Sequence, residues 1–219
     1  MNAKTGNSDD EQQIARFFDC CETSGQRKIN TRISRKARRE LIQGLTDLGL
    51  QGRSVLEIGS GPGDLTRKLV QLGAAKALGI DLAEKTLEEA RERAAQEQLS
   101  DKIEYRLGNG AKHSFEHHDI VVLDKVICCY PDWSELVDNT SSVAQLAYGF
   151  VIPRSQGLSA FVVRAFIAIG SLGLRLKKCG FTPHVHDFSK IDAHLIERGF
   201  RRTHLSVGPI WMTAVYARS

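Results

Sequence analysis

The segment Val55-Leu-Glu-Ile-Gly-Ser-Gly-Pro-Gly-Asp64 constrains this chain more than any other. A short apolar run, Ser54 to Ile58, leads into three glycines spaced by single residues. A helical pattern from Asp64 to Leu72 follows, with Leu65, Leu69 and Leu72 on one face. Glycine is needed where the chain must pass close to a bound ligand and a Cβ would clash. The spacing differs from the dinucleotide fingerprint G-x-G-x-x-G, because Gly63 follows Gly61 by two residues and not three. Glu57 sits inside the strand end and Pro62 occupies the turn. An acid at that point suits a ligand with a cationic amino group better than a pyrophosphate.

The pattern continues as alternating elements. Ala77 to Ile80 reads as a second strand, Glu84 to Gln98 as a charged helix and Lys102 to Leu107 as a third strand. Asp119 to Asp124 reads as a fourth strand, and Leu146 to Ile152 as a fifth that ends at Pro153. Ser189 to Arg198 is a short helix, and Phe200 to Val207 and Trp211 to Ala217 are two strands joined at Gly208-Pro209. This order predicts an α/β fold: a Rossmann-like, mostly parallel seven-stranded sheet, helices on both faces and a C-terminal antiparallel hairpin. A length of 219 residues fits one such domain. Residues 1–11 read as a tail, Ile14 to Leu50 as helical and charged, and the main domain as 51–219. Ile33, Ala37, Leu41, Leu45 and Leu48 form one apolar face of the N-terminal helical region. The basic residues from Arg27 to Arg39 are either a solvated face or an attraction for anions near a ligand mouth.

Hydrophobic residues make up 42% of the chain and charged residues 26%, as in ordinary globular proteins. The net charge of +4 permits an anionic ligand without demanding nucleic acid. The N-terminal stretch MNAKTGNSDDEQQ carries no apolar core of a secretory leader, so the expected compartment is a reducing cytoplasm. The five cysteines are then expected as thiols rather than structural bridges. Leu158 to Leu174 is apolar but contains Arg164 and falls short of the roughly 20 residues a membrane span needs, so no integral membrane segment is expected. It reads as a core helix, a cover over an apolar substrate or a peripheral membrane contact.

Asp81 closes the second strand, where a carboxylate can accept both hydroxyls of a ribose. Asn109, in Leu107-Gly-Asn-Gly-Ala111, closes the third and can hydrogen-bond an adenine edge. With these residues in place the sequence resembles the class I S-adenosylmethionine-dependent methyltransferases: E-x-G-x-G-x-G, then Asp81, then Gly-Asn at the third strand. The resemblance implies S-adenosylmethionine as cofactor, with the loop cradling its methionine part and Glu57 organising the loop. It implies a cofactor set of Glu57, Gly59, Ser60, Gly61, Asp81, Leu82, Asn109, Gly110 and Asp124. Asp81 would bind ribose, and Asn109 with Gly110 would lie by adenine. The family more often carries Asp at position 109; the amide oxygen of Asn109 can accept from the adenine amino group instead. The family also implies that residues 1–50 form a helical lid. The competing reading is a Rossmann-like domain with a different nucleotide site.

Two Cys-Cys pairs stand out, Cys20-Cys21 and Cys128-Cys129, the second in Val126-Ile-Cys-Cys-Tyr-Pro-Asp-Trp133 just past the fourth strand. Ligands of open parallel sheets bind outside the carboxyl ends of the strands, so the second pair lies on the chemical face. Three readings compete: small buried hydrophobes, thiol–disulfide chemistry on a substrate, or a metal site whose spacing is unlike that of ordinary zinc sites. No metal is expected. A thiolate near Lys125 would have favourable electrostatics. The pairs also resemble, more loosely, a group of bacterial methyltransferases with Cys-Cys-Tyr-Pro, some associated with disulfide reduction coupled to thiol methylation. Residues 119–219 resemble magnesium-protoporphyrin O-methyltransferases.

The expected function is therefore methyl transfer to a small molecule. A thiol acceptor is favoured, with Cys20, Cys21, Cys128 and Cys129 as candidates for reducing its disulfide. An apolar carboxylate such as a tetrapyrrole is the alternative acceptor, and a cofactor-binding module without turnover is the alternative class. Nucleic acid is not expected as a partner, since no Asn/Asp-Pro-Pro-Tyr/Phe follows the fourth strand. For an acceptor that must lose a proton, His184, His186, Asp132 and Tyr130 are the candidate bases.

Overall fold

The structure, a computed structural model, describes residues 12–17, 32–157 and 183–219. Cys20, Cys21, Cys179 and the segment Leu158 to Leu174 lie outside the described residues. Residues 12–17 are helical. The elements that follow are α1 (Arg32–Asp47), β1 (Ser54–Ile58), α2 (Asp64–Gln71), β2 (Lys76–Asp81), α3 (Glu84–Gln96) and β3 (Ile103–Leu107). Then come β4 (His118–Asp124), a single 3₁₀ turn (Ile127–Cys129), α4 (Trp133–Ser142), β5 (Ala144–Pro153), α5 (Phe188–Glu197), β6 (Phe200–Val207) and β7 (Trp211–Arg218).

The seven strands form one sheet in the order β3-β2-β1-β4-β5-β7-β6. The first five are parallel; β7 runs antiparallel to β5 and to β6. The expected Rossmann-like sheet with a terminal hairpin is the observed one. Its order reverses at β1/β4, and an open parallel sheet leaves a crevice for ligand at such a switch point. The central strands are buried on both faces, which is why β1 and β4 read as near-continuous apolar runs without alternation.

One layer of core lies under each face. On one side, Leu41 and Leu45 of α1 pack with Leu65 and Leu69 of α2, Leu87 of α3 and Val215 of β7. Two glycines set how closely α1 approaches the sheet: a Cβ on Gly44 would lie 2.8 Å from Val215 Cγ2, and one on Gly149 2.8 Å from Leu41 Cδ1. On the other side Phe150 stacks on Tyr216 at 5.8 Å, and the buried Tyr148 hydroxyl pairs with Thr140 Oγ1 at 2.8 Å. No described helix is long and apolar enough to cross a membrane.

Candidate functional site

A cavity of about 470 Å³ opens at the carboxyl ends of β1, β2 and β4. Its floor is the glycine turn. Gly59, Gly61 and Gly63 all take positive φ, at 68°, 51° and 75°. Gly59 also has no room for a side chain, because a Cβ there would lie 2.2 Å from Val126 Cγ2. The turn spends its own amides. Gly59 N and Ser60 N both donate to Ile80 O, at 2.7 and 3.0 Å, and Gly63 N donates to Ser60 O at 3.0 Å. Gly61 N donates to Asp81 Oδ2 at 2.7 Å. A pyrophosphate cradle needs such N–H groups free to point at oxygens. Here they are committed, and Asp64 occupies the first turn of α2, where an anionic ligand would otherwise gain from the helix dipole.

Carboxyl groups dominate this floor. Glu57 is buried, with Thr66 Oγ1 donating to its Oε2. Burial pushes the Glu57 carboxyl up to about 8, although Thr66 and Arg38 oppose the shift. Asp81 Oδ1 accepts from Ala83 N at 3.0 Å, so this carboxylate braces both the turn and the start of α3. Ser60 Oγ is buried and has no hydrogen-bond partner among the described residues.

The wall beyond β4 is made of side chains. Asp124 accepts from Arg38 Nε at 2.6 Å and from Lys125 Nζ at 2.5 Å. The basic cluster of the sequence is thus divided: Arg38 turns inward to the cavity while Arg35, Lys36 and Arg39 stay exposed. Cys128 and Cys129 are buried, and both thiols donate to the Lys125 carbonyl, at 3.3 and 3.7 Å. The Cys129 thiol is held well above its ordinary range, first by its contact with Cys128 and then by burial. The Lys125 ammonium rests on Asp124 and is also favoured by Cys128 nearby, while both sulfurs meet the Lys125 carbonyl oxygen.

Of the residues expected to hold a cofactor, Glu57, Gly59, Ser60, Gly61, Asp81, Leu82, Gly110 and Asp124 line the cavity, and Cys129 lines it with them. Asn109 and Cys128 lie behind the lining. Asn109 Oδ1 accepts from Ala111 N at 2.8 Å and from the Tyr130 hydroxyl at 3.0 Å, so it pins the β3 loop to the β4 loop. That bond also occupies Tyr130, one of the four candidate bases. Asp132 is the N-cap of α4, accepting from Ser134 N at 2.9 Å, which is the usual work of an Asp ahead of a helix. His184 and His186 share one face, as their alternation predicts, with ring centroids 5.6 Å apart. They pack on the outside of the cysteine turn: His184 N donates to Cys128 O at 2.7 Å and His186 Nε2 lies 2.9 Å from Tyr130 O. Ile14 and Phe17 also reach the cavity wall and were not singled out in the sequence. Among the described residues no three His, Cys, Asp or Glu gather as a metal site.

Residues 55–145 match the family model of a methyltransferase domain. A ribosomal protein L11 methyltransferase from Enterobacter sp. (strain 638) is 35% identical over 86 residues, 39% of this chain and 27% of that protein. A ubiquinone biosynthesis O-methyltransferase from Neisseria meningitidis serogroup C (strain 053442) is 35% identical over 138 residues, 58% of this chain and 55% of that protein. The chain therefore spans about half the length, or less, of these curated relatives. Among solved structures, magnesium protoporphyrin IX methyltransferase from Synechocystis PCC 6803 with bound SAH superposes with a TM-score of 0.76 at 19% identity, covering 95% of this chain and 100% of that one. Geranyl diphosphate C-methyltransferase from Streptomyces coelicolor A3(2) superposes with a TM-score of 0.69 at 12% identity, covering 98% and 100%. The resemblance to class I S-adenosylmethionine-dependent methyltransferases is borne out in the matched domain and in the fold.

Proposed function

We propose that this chain transfers a methyl group from S-adenosylmethionine to a small apolar acceptor, and that the accepting atom is an anionic oxygen. The observation that carries the first half is the Glu57 floor: a buried carboxyl under a turn whose amides are already committed. Such a floor takes up a cationic group and offers a diphosphate nothing. The solved neighbour with bound SAH, built on the same topology, agrees with that reading.

Glu57 sits where the methionyl ammonium would lie, and the arriving charge favours its ionised form. Ser60 Oγ, without a partner among the described residues, can take a ligand hydrogen bond. Asp81 lines the cavity at the end of β2, where its carboxylate can meet ribose hydroxyls. Gly108 and Gly110 line the place expected for adenine, and Asn109 holds them there from behind. When bound, S-adenosylmethionine supplies an electrophilic methyl on a sulfonium. What the protein then contributes is alignment and exclusion of water. Ile14, Phe17, Leu82 and Val126 provide an apolar wall for that.

The acceptor is inferred from how the candidate bases are placed among the described residues. No candidate base stands free: Tyr130 and Asp132 are engaged, and the two histidines lie outside the lining. A carboxylate needs none. The burial of both cysteines and the raised Cys129 thiol do not favour the thiol and disulfide reading, and the Neisseria and Synechocystis relatives are an O-methyltransferase and a protoporphyrin methyltransferase by name. The test is a labelled-methyl assay against apolar carboxylates, phenols, dithiols and disulfides, in wild type and in Cys128→Ser/Cys129→Ser. Base-labile methyl ester formed by both proteins is expected. Label entering only thioether, and lost in the double variant, would overturn the oxygen reading; cofactor binding with no transfer to any acceptor would leave a binding module.

A further inference from the structure

Two non-glycine residues have positive φ among those described, Gln98 at 56° and Lys125 at 68°. Gln98 needs no special account, since it closes the end of α3 by donating to Ala95 O at 3.1 Å. Lys125 is different. It follows β4 directly, lines the cavity and is largely buried. Its amide donates to Val151 O at 3.0 Å, and its carbonyl receives both cysteine thiols. The left-handed conformation is strained for a residue with a Cβ, and glycine would adopt it freely. Strain of this kind at a cavity wall is kept where the side chain is used.

The ammonium is fixed from two sides. Nζ lies 2.5 Å from Asp124 Oδ1 and 5.6 Å from the centroid of the Trp211 ring. The other Asp124 oxygen is taken by Arg38 Nε at 2.6 Å, and the Arg38 guanidinium also faces Asp64 at 3.9 Å, so Lys125 shares its carboxylate with a second cation. Burial draws the Lys125 ammonium below its ordinary range although Asp124 opposes the shift. A lysine ammonium has three donors, and Asp124 uses one. Among the described residues no other acceptor takes its remaining donors, and apolar Val126 lines the cavity beside it.

We propose that Lys125 is the acceptor-recognising cation of this site, its ammonium held by Asp124 and Trp211 so that it binds the anionic oxygen group of an otherwise apolar acceptor. The inference rests on the methyl-transfer reading above and adds the acceptor's charge and the residue that selects it. Asp124 and Trp211 are positioning residues in this arrangement. The competing role for Lys125 is contact with the carboxylate of the cofactor's methionine part, and the test separates the two.

The experiment titrates the chain, saturated with S-adenosylhomocysteine, with naphthalene-2-carboxylate and with 2-naphthalenemethanol, which share an apolar body and differ in charge. Wild type should bind the carboxylate at least tenfold more tightly. Lys125→Met should shrink that preference to within twofold, Lys125→Arg should keep a clear preference, and affinity for S-adenosylhomocysteine should stay within threefold. Lys125→Gly removes the ammonium and also frees the backbone, so it gives the same reading if Lys125→Met folds poorly. Equal or undetectable binding of the two probes by wild type overturns the proposal, as does a preference that survives in Lys125→Met and Lys125→Gly. A tenfold loss of S-adenosylhomocysteine affinity in both variants would move Lys125 to the cofactor. Wild type that fails to bind S-adenosylhomocysteine at all removes the reading on which the proposal stands, a failure distinct from the others.

Discussion

On the β1 side of the cavity the turn from Gly59 to Gly63 is held by main chain: positive φ angles, amides spent on Ile80 O and Ser60 O, and one carboxylate brace from Asp81. On the β4 side the loop from Lys125 to Tyr130 is held by side chains: an ion-paired lysine, two thiols on one carbonyl and a tyrosine on Asn109. A bank built of backbone leaves no room for a Cβ at Gly59 or Gly63 and strains one at Gly61. A bank built of side chains can be re-chosen residue by residue without refolding the sheet. That difference fits the proposed division into a cofactor subsite and an acceptor subsite.

The sharpest way to break the comparison is at Gly59. Gly59→Ala adds a Cβ at positive φ against Val126. Strain and overpacking together amount to about 2–4 kcal/mol, so affinity for S-adenosylhomocysteine should fall by about 30-fold or more. Gly199, also at positive φ but with nothing within 4 Å of its Cβ, is the control. Gly199→Ala should cost about 1 kcal/mol of stability and leave binding unchanged. Equal effects of the two on binding would show that the β1 bank is not special.

Glu57→Gln comes next. Loss of a charged hydrogen-bond partner costs about 1.5–3 kcal/mol, or roughly ten- to hundredfold in affinity. The pH dependence has a definite sign. The free carboxyl, pushed up to about 8, is largely protonated at pH 6, and a docking ammonium expels that proton. Wild-type affinity should therefore rise between pH 6 and pH 8, by up to about tenfold per pH unit, and Glu57→Gln should bind with no such slope. A flat wild-type profile would contradict the role given to Glu57.

On the other bank, Cys128→Ala/Cys129→Ala should leave turnover of a carboxylate acceptor within about threefold while lowering stability by about 1–3 kcal/mol through lost packing, read from a denaturant midpoint. Loss of turnover beyond a hundredfold would restore the redox reading. The smallest effect is at Lys125, where glycine should be more stable than alanine by about 1 kcal/mol, because only the backbone strain differs.

The same division governs how much could be read from residues alone. Every strand was legible: β1 and β4 are buried parallel strands that read as apolar runs, and the exposed antiparallel β6 was marked off by the turn at Gly208-Pro209, with β6 bounded correctly at Phe200–Val207 and β1 at Ser54–Ile58. The helix α4 was missed. Its sequence WSELVDNTSS is short and rich in residues that favour caps and turns, and its N-cap, Asp132, drew notice as a candidate base. The glycine turn was legible because its geometry admits few other residues. Arg38 and Thr66 were not, because an arginine in a basic helix and a threonine in an amphipathic one carry no mark of their long-range partners, Asp124 and Glu57. The cysteine pair drew attention by its rarity, yet the dipeptide does not encode the contact with Cys128 and the burial that raise the Cys129 thiol.

The central claim is that a main-chain turn over a buried carboxyl receives a cationic, non-phosphorylated ligand. Calorimetry at pH 7 tests it most directly. The account predicts saturable one-site binding of S-adenosylhomocysteine and no heat with NADH. Saturation by NADH with none by S-adenosylhomocysteine would contradict it.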